Sequence, residues 1–190
     1  STFLWSDTGD GRYVADGWND YFWMVRPDAI EVGSSLYIET AAHWVDDDDG
    51  MGPAFSTSAG DYFVGMVTDD YDGTAFSTER EGIVQYSGVP AEHKEGTHIL
   101  ELDDVIDLEN GMRIGLWIHD GVAELLVDGV SLGVASWAGS GMQSVGLGSI
   151  SNGECQFEYL WVSSFLPDAD FNPESQVSVG TASLGAEEGF

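Results

Sequence analysis

Residues 113–129 decide the fold of this chain, because they contain two strand-like segments that each end in Asp-Gly. The first segment is Arg113-Ile-Gly-Leu-Trp-Ile-His119, followed by Asp120-Gly121, and the second is Val122-Ala-Glu-Leu-Leu-Val127, followed by Asp128-Gly129. Apolar residues alternate in both segments, which is typical of strands with one buried face. Asp-Gly favours a type I′ hairpin turn, because both central residues of that turn need positive φ. The stretch therefore predicts consecutive antiparallel strands joined by tight turns.

The strand-and-turn pattern continues downstream of this stretch. Val130 to Ser136 is predicted to be a third strand, and residues 144–150 and 154–163 flank Asn152-Gly153, another strong hairpin dipeptide. Shorter alternating segments occur upstream, and no window shows the 3.6-residue period of a helix. Several antiparallel strands with regular turns indicate an all-β sandwich or barrel.

The first half of the chain has longer connections. Residues 46–53, 69–74 and 89–96 are predicted to be loops, which on a rigid sheet framework often carry binding residues. The composition shifts at residue 166, after which proline, small residues and acids dominate. We therefore expect a domain at 1–165 and an extended tail at 166–190 that contacts neighbouring subunits.

The charge of the chain indicates its environment. Aspartate and glutamate number 34 against five lysine and arginine residues, which gives a net charge of -29 and a pI near 4.1. Self-repulsion at this level destabilises a folded domain unless salt screens it. The chain is not predicted to be disordered, because 43% of its residues are hydrophobic and 12% are aromatic. The composition predicts a folded protein from a halophilic microbe or from a virus that infects one.

Several classes of protein are disfavoured by the composition. Nucleic acid is a poor partner, because phosphate binding relies on lysine and arginine. No stretch of about 18 apolar residues predicts membrane insertion, and the first residues lack the basic region of a signal peptide. The single cysteine, Cys155, excludes an internal disulfide, and it is predicted to be a small buried residue.

Residues 111–163 resemble the laminin-G-like, or concanavalin A-like, jelly-roll superfamily. The resemblance rests on the segment from Arg113 and on three further motifs, which are Ala123-Glu-Leu-Leu-Val-Asp-Gly129, Val145-Gly-Leu-Gly-Ser149 and Phe157-Glu-Tyr-Leu-Trp-Val162. It implies an antiparallel β-sandwich of jelly-roll type. The superfamily includes lectins, glycosidases, adhesion modules and viral surface domains, so the fold alone does not decide the function.

Catalysis is not predicted from the sequence. The jelly-roll glucanases of the superfamily carry Glu-x-Asp-x-Glu or Glu-x-Asp-x-x-Glu on one strand, and Glu101 with Asp103 is the nearest match. The closing glutamate is missing at both 105 and 106, and glycoside hydrolysis needs a second carboxylate. No nucleophile elbow accompanies the four histidines, because the Gly-x-Ser-x-Gly match at Gly129 to Gly133 lies in a predicted strand that no helix follows. We therefore expect a protein that is not an enzyme.

Tryptophans are the candidates for contacting a glycan. Those beside loop-like residues are the candidate platforms for sugar rings, namely Trp18, Trp44 and Trp137. The tryptophans within strand patterns are predicted to belong to the core, namely Trp23, Trp117 and Trp161.

Acidic loops are the candidates for a structural calcium or another cation, because hard cations take oxygen ligands from flexible loops. The candidate ligands are Asp46, Asp47, Asp48, Asp49, Asp69, Asp70 and Asp72. No complete EF-hand pattern is present, and aspartates in so acidic a chain are also expected simply as solvated loop residues.

The function predicted first is structural or adhesive. The absence of a catalytic constellation, the expected absence of a signal peptide and the tail favour a virion surface protein, as a capsid decoration, turret or tail-associated component. Its partners would be other structural proteins of the same assembly, including further copies of itself. The alternative is a lectin-like module that binds host surface glycans, on a virion or at the extracellular surface of a halophile. A divergent jelly-roll glycosidase is a further alternative.

Overall fold

The computed structural model of the chain describes residues 5–7, 13–16, 21–25, 35–44, 50–68, 81–88, 96–102, 111–137, 141–150, 154–164 and 166, and the backbone alone before residue 35. These residues form fourteen β-strands and no helix. The strands are β1 (Trp5–Asp7), β2 (Tyr13–Asp16), β3 (Tyr21–Val25), β4 (Ser35–Trp44), β5 (Gly50–Thr57), β6 (Asp61–Thr68), β7 (Gly82–Ser87), β8 (Thr97–Glu101), β9 (Met112–His119), β10 (Val122–Val127), β11 (Val130–Ser136), β12 (Met142–Ile150), β13 (Glu154–Phe157) and β14 (Trp161–Ser163).

The strands form two antiparallel sheets. The larger sheet has the order β1-β2-β13-β4-β9-β10-β11, and β14 pairs with β4 beyond β13. The smaller sheet has the order β3-β12-β5-β6-β7-β8. The predicted all-β, antiparallel sandwich of jelly-roll type is confirmed. The predicted tail at 166–190 lies, apart from residue 166, outside the described residues.

The Asp-Gly hairpins form as predicted. Asp120 and Gly121 have φ angles of 46° and 79° between β9 and β10, and Asp128 and Gly129 have 50° and 78° between β10 and β11. These positive values are those of a type I′ turn. The Asp128 carboxylate also accepts a hydrogen bond of 3.0 Å from the backbone N–H of Arg113, which ties the turn to the start of β9.

The main core lies between the two sheets. On β9 the alternate residues Ile114, Leu116 and Ile118 are at most 3% exposed and pack in one cluster with Leu125 and Phe55. Each such fully buried side chain contributes roughly 1.5–3 kcal/mol. Because neighbouring residues in a strand point to opposite faces, the residues between them face away from this core. We call that side of the larger sheet the outer face.

The predicted loop at 46–53 is wrong in its second half. Residues 50–53 begin β5, which lies between β6 and β12 in the smaller sheet. The β5–β6 pairing skips Gly52 and Pro53, because proline has no N–H to donate. Gly52 is required there, since a Cβ would collide with the backbone of Gly65. The sequence suggested a loop because glycine and proline in a strand interior are typical of loops.

The strand predicted over 154–163 is divided in two. β13 ends at Phe157, which is buried in the core opposite Ala42, and β14 begins at Trp161, opposite Glu39. Both strands pair with successive parts of the same edge of β4. The break changes the direction of the side chains that follow, so Tyr159 reaches the outer face.

The part of the chain that the structure describes contains no helix long and apolar enough to cross a membrane.

Candidate functional site

Strand register brings aromatic and polar side chains together on the outer face. One row across β14, β4, β9 and β10 places Ser163, Tyr37, Trp117 and Glu124 side by side. The Tyr37 ring lies between two tryptophans. Its centroid is 6.2 Å from that of Trp117 and 5.7 Å from that of Trp161. Both tryptophans are half-buried, so part of each ring remains accessible.

A buried carboxylate lies at the centre of this face. Glu39 is 0% exposed and accepts hydrogen bonds from the Tyr37 hydroxyl at 2.6 Å and the Tyr159 hydroxyl at 2.7 Å. Arg113 Nη2 lies 3.5 Å from Glu39 Oε2. We call these four residues the Glu39 cluster. A buried charge is tolerated only with such compensation, because desolvation costs several kcal/mol per ion.

Small residues on the neighbouring strand make room for the cluster. Gly115 stands opposite Glu39 on β9, and the Tyr37 ring lies over it. A Cβ at Gly115 would fall 2.8 Å from Cε2 and Cζ of Tyr37. Alanine at this position would therefore displace the ring that donates to Glu39. On β4 itself the residue opposite Arg113 is also small, namely Ala41, which is 3% exposed.

Arg113 is notable in so acidic a chain. It is the only lysine or arginine among the residues that the structure describes, and its side chain is 21% exposed. Its guanidinium is therefore partly accessible while it lies beside a carboxylate that is 1% exposed. A fork of N–H donors held in place in this way can donate to the oxygens of a ligand.

The phenols of the cluster are held in the protonated state. Burial raises the pKa of Tyr37 well above its usual value of 10.0, and the hydrogen bond to Glu39 adds to the increase. Burial also raises the pKa of Tyr159, with further increases from the nearby Glu39 charge and from the hydrogen bond to it. Both hydroxyl groups therefore remain donors across the neutral range.

The raised phenol pKa values predict a loss of stability in alkali. An unfolded tyrosine loses its proton above about pH 10 while the folded one retains it, so folding free energy is lost as pH rises above that value. The slope is about 1.4 kcal/mol per pH unit for each of the two phenols. Denaturant unfolding between about pH 9 and pH 12 in constant molar salt measures it. The variant Tyr37→Phe/Tyr159→Phe should flatten the slope, and an unchanged slope would contradict the assignment.

Histidine–carboxylate pairs lie at both ends of the outer face. His119 Nε2 is 3.5 Å from Glu124 Oε2, its Nδ1 is 3.7 Å from Asp120 Oδ2, and its ring stacks at a tilt 5.2 Å from Trp117. At the other end His43 Nε2 lies 2.6 Å from Glu158 Oε1. The side chains of His119 and Glu158 are 27% and 29% exposed, so both ends present polar groups to solvent.

Of the three predicted glycan residues, the structure describes the side chain of Trp137 alone. Trp18 lies outside the described residues, and Trp44 is the last residue of β4, described by its backbone alone. The Trp137 ring packs edge-on against Phe55 and Phe63, with centroids 5.4 and 6.4 Å away. Its buried Nε1 has no hydrogen-bond partner within the described part of the chain. That Trp18, Trp44 and Trp137 contact a glycan stays a prediction.

The other predicted site residues are also distant from the outer face or not described. Glu101 is exposed at the end of β8, an edge strand of the smaller sheet, and Asp103 lies outside the described residues. Every predicted cation ligand also lies outside the described residues, namely Asp46, Asp47, Asp48, Asp49, Asp69, Asp70 and Asp72. Within the described ranges no three or more His, Cys, Asp or Glu side chains are grouped as a metal site requires.

The prediction that Trp117 and Trp161 belong to the core is wrong. Ile114, Leu116 and Ile118 fill the core face of β9, so Trp117 between them points outward. This could have been inferred from the alternation itself. The outward position of Trp161 could not have been inferred in this way, because the direction of its side chain depends on the break in the strand after Phe157. Glu39 was missed as well, although it follows Tyr37 by two residues and so shares its face.

Comparisons with known proteins identify the fold. No protein-family model matches the chain. No curated protein matches it either. Among solved structures, carbohydrate binding module CBM66 from Bacillus subtilis is similar, with a TM-score of 0.61, 14% identity, and coverage of 86% of this chain and 92% of that one.

Two further structures show the same fold. A putative glycosyl hydrolase from Parabacteroides distasonis has a TM-score of 0.51 and 11% identity, with coverage of 82% of this chain and 81% of that one. Alginate lyase A1-II′, of polysaccharide lyase family 7, has a TM-score of 0.50 and 11% identity, with coverage of 86% and 83%. The three structures therefore support the jelly-roll sandwich fold of this chain.

Proposed function

We propose that the outer face of the larger sheet binds a carbohydrate, and that the protein is a binding module without catalytic activity. The observation that carries the proposal is the pair of half-buried tryptophans, Trp117 and Trp161, on either side of Tyr37 and the buried Glu39. Binding sites for small ligands combine aromatic walls with a few well-placed polar groups. Sugar rings present both C–H faces for stacking and hydroxyl groups for hydrogen bonds.

The arrangement separates contacting residues from positioning residues. Trp117, Trp161 and Arg113 are partly accessible and would touch the sugar. Glu39 and Tyr37 are at most 1% exposed, so they act by holding Arg113 and the aromatic rings in place. A site with such pre-ordered side chains loses less conformational entropy when the ligand binds.

The charges around the site favour a neutral sugar. Carboxylates of Glu124, Asp120 and Glu158 lie at its ends, and the whole chain carries a net charge of -29. An anionic glycan would be repelled at close range, where salt does not screen. Neutral hydroxyl groups can instead donate to these carboxylates and accept from Arg113.

The structural neighbours support this class of function. One of them is named as a carbohydrate binding module, one as a putative glycosyl hydrolase and one as an alginate lyase, and the coverage in each direction exceeds four-fifths. The proposal of a surface location in a halophile, or on a virion that infects one, rests on the sequence alone. So does the proposal of assembly with other structural proteins.

A glycan array in ~3 M NaCl tests the function. We expect the wild-type protein to bind at least one class of neutral glycan, and Trp117→Ala and Trp161→Ala each to weaken binding about tenfold, equal to about 1.4 kcal/mol. Trp137→Phe is the matched control, because it changes a tryptophan that packs on Phe55 away from the outer face. Wild-type affinity in both outer-face variants would overturn the proposal. Shortened glycan products after incubation would favour the glycosidase alternative.

A further inference from the structure

The longest uncharged segment of the chain includes a strand at the edge of the larger sheet. No charged residue and no histidine occurs between Asp128 and Glu154, in a chain with 34 acidic residues. The segment contains β11 and β12. β12 lies between β3 and β5 in the smaller sheet, so packing alone accounts for its neutrality.

β11 is uncharged although it is exposed. It is the terminal strand of the larger sheet, and Val130 and Val134 are 64% and 52% exposed. Edge strands usually carry charged residues that prevent pairing with another chain. On a surface with so many carboxylates, the absence of every acid from this strand indicates that the strand is a contact surface.

On the side of β11 away from β10, backbone groups point outward without a partner among the described strands. The Trp137 N–H donates to the Gly121 carbonyl at 2.8 Å, so the backbone N–H of Trp137 points toward the β10 side. In an antiparallel pair, the backbone groups of successive residues point alternately toward and away from the partner strand. The N–H and C=O groups of Val134 and Ser136 therefore point away from β10. Among the described strands β10 is the one partner of β11.

We propose that β11 pairs antiparallel with β11 of a second copy of this chain, forming a two-fold symmetric dimer. Two copies that each carry a net charge of -29 repel each other least where both surfaces are neutral. A two-fold axis perpendicular to the sheet gives antiparallel pairing of a strand with itself. A cationic partner would instead be drawn to the acidic surface, so the neutral edge favours a second copy.

The dimer has a consequence for the outer face, which rests on the proposed function. Val134 lies opposite Glu124, in the row that also holds Trp117. Because the two-fold axis is perpendicular to the sheet, the outer faces of both copies lie on the same side of it. The two outer faces would therefore lie side by side on one continuous sheet. Two linked sites bind a multivalent surface more tightly than one.

Sedimentation equilibrium in ~3 M NaCl tests the dimer without any glycan. The wild-type chain of 20.5 kDa should sediment at twice that mass. Val134→Asp places like charges beside the axis and should give monomers. Ala59→Asp is the matched control, because Ala59 is exposed in the turn between β5 and β6 and its change should leave the dimer intact. A monomeric wild type, or a Val134→Asp variant that remains a dimer, would overturn the proposal.

Hydrogen exchange distinguishes this pairing from any other dimer. In the β11 dimer the amides of Val134 and Ser136 should be protected, and in monomers both residue positions should exchange rapidly. The variant Ser136→Pro removes one outward donor without removing a bond to β10, so it separates lost pairing from lost folding. Tryptophan near-UV circular dichroism verifies that each variant is folded. Rapid exchange at both amides in a wild-type dimer would place the interface elsewhere and overturn the proposal.

Discussion

Lowering sodium chloride from ~3 M to ~0.1 M should reduce the melting temperature of this protein by about 10–20 °C. The net charge of -29 produces self-repulsion that is screened within ~3 Å at 1 M salt but extends over ~10 Å at 0.1 M. We expect a loss on the order of 5 kcal/mol, which is a large part of the roughly 5–15 kcal/mol stability of a domain. Thermal unfolding followed by circular dichroism at several salt concentrations measures the effect.

Calcium provides the control for this salt dependence. If screening is the cause, millimolar calcium should not restore stability at low sodium chloride. Restoration by calcium that a chelator reverses would instead support the predicted cation site at the aspartates of residues 46–49 and 69–72. Equal stability at low and at molar salt, without calcium, would contradict the halophilic interpretation of the charge.

Replacing Glu39 by alanine should destabilise the protein by about 3–5 kcal/mol and abolish glycan binding. Glu39 is 0% exposed and accepts from Tyr37 and Tyr159 while it faces Arg113. Removing it leaves the hydroxyl groups of Tyr37 and Tyr159 to find other acceptors and removes the carboxylate that positions the guanidinium. Denaturant unfolding in molar salt gives the loss of stability, and titration with the glycan found on the array gives the loss of affinity.

Two variants control for the size and the charge of Glu39. Glu39→Gln retains the shape and one acceptor oxygen, so we expect its loss of stability to be smaller than that of Glu39→Ala but greater than zero. Glu124→Gln removes a carboxylate of the same face that is 18% exposed beside His119, and it should cost less than about 1 kcal/mol. If Glu39→Ala has wild-type stability and affinity, the cluster organises neither the fold nor the site.

The sequence predicted the second half of the fold better than the first. The Asp-Gly turns at 120–121 and 128–129 are local signals, because their positive φ angles depend on those residues themselves. β5 was missed because Gly52 and Pro53 resemble a loop, and their place in a strand depends on the close approach of Gly65 in another strand. Non-local packing of this kind leaves no trace in the spacing of residues.

The candidate site was predictable only in part. Trp117 lies between Leu116 and Ile118, so the alternation on β9 was enough to place it on the outer face. The burial of Glu39 was not predictable, because its partners Arg113 and Tyr159 are far away along the chain. The abundance of carboxylates also obscured it, since one glutamate among 34 acidic residues carries no signal of its own.

The most direct test is to locate the bound glycan on the protein. Backbone amide chemical shifts of the wild-type protein in molar salt should be followed while the glycan found on the array is added. The account predicts that the largest changes fall on β4, β9 and β14, around Glu39, Trp117 and Trp161. Changes confined to the residues around Trp18 and Trp44, with Glu39, Trp117, Trp161 and their neighbours unaffected, would contradict it.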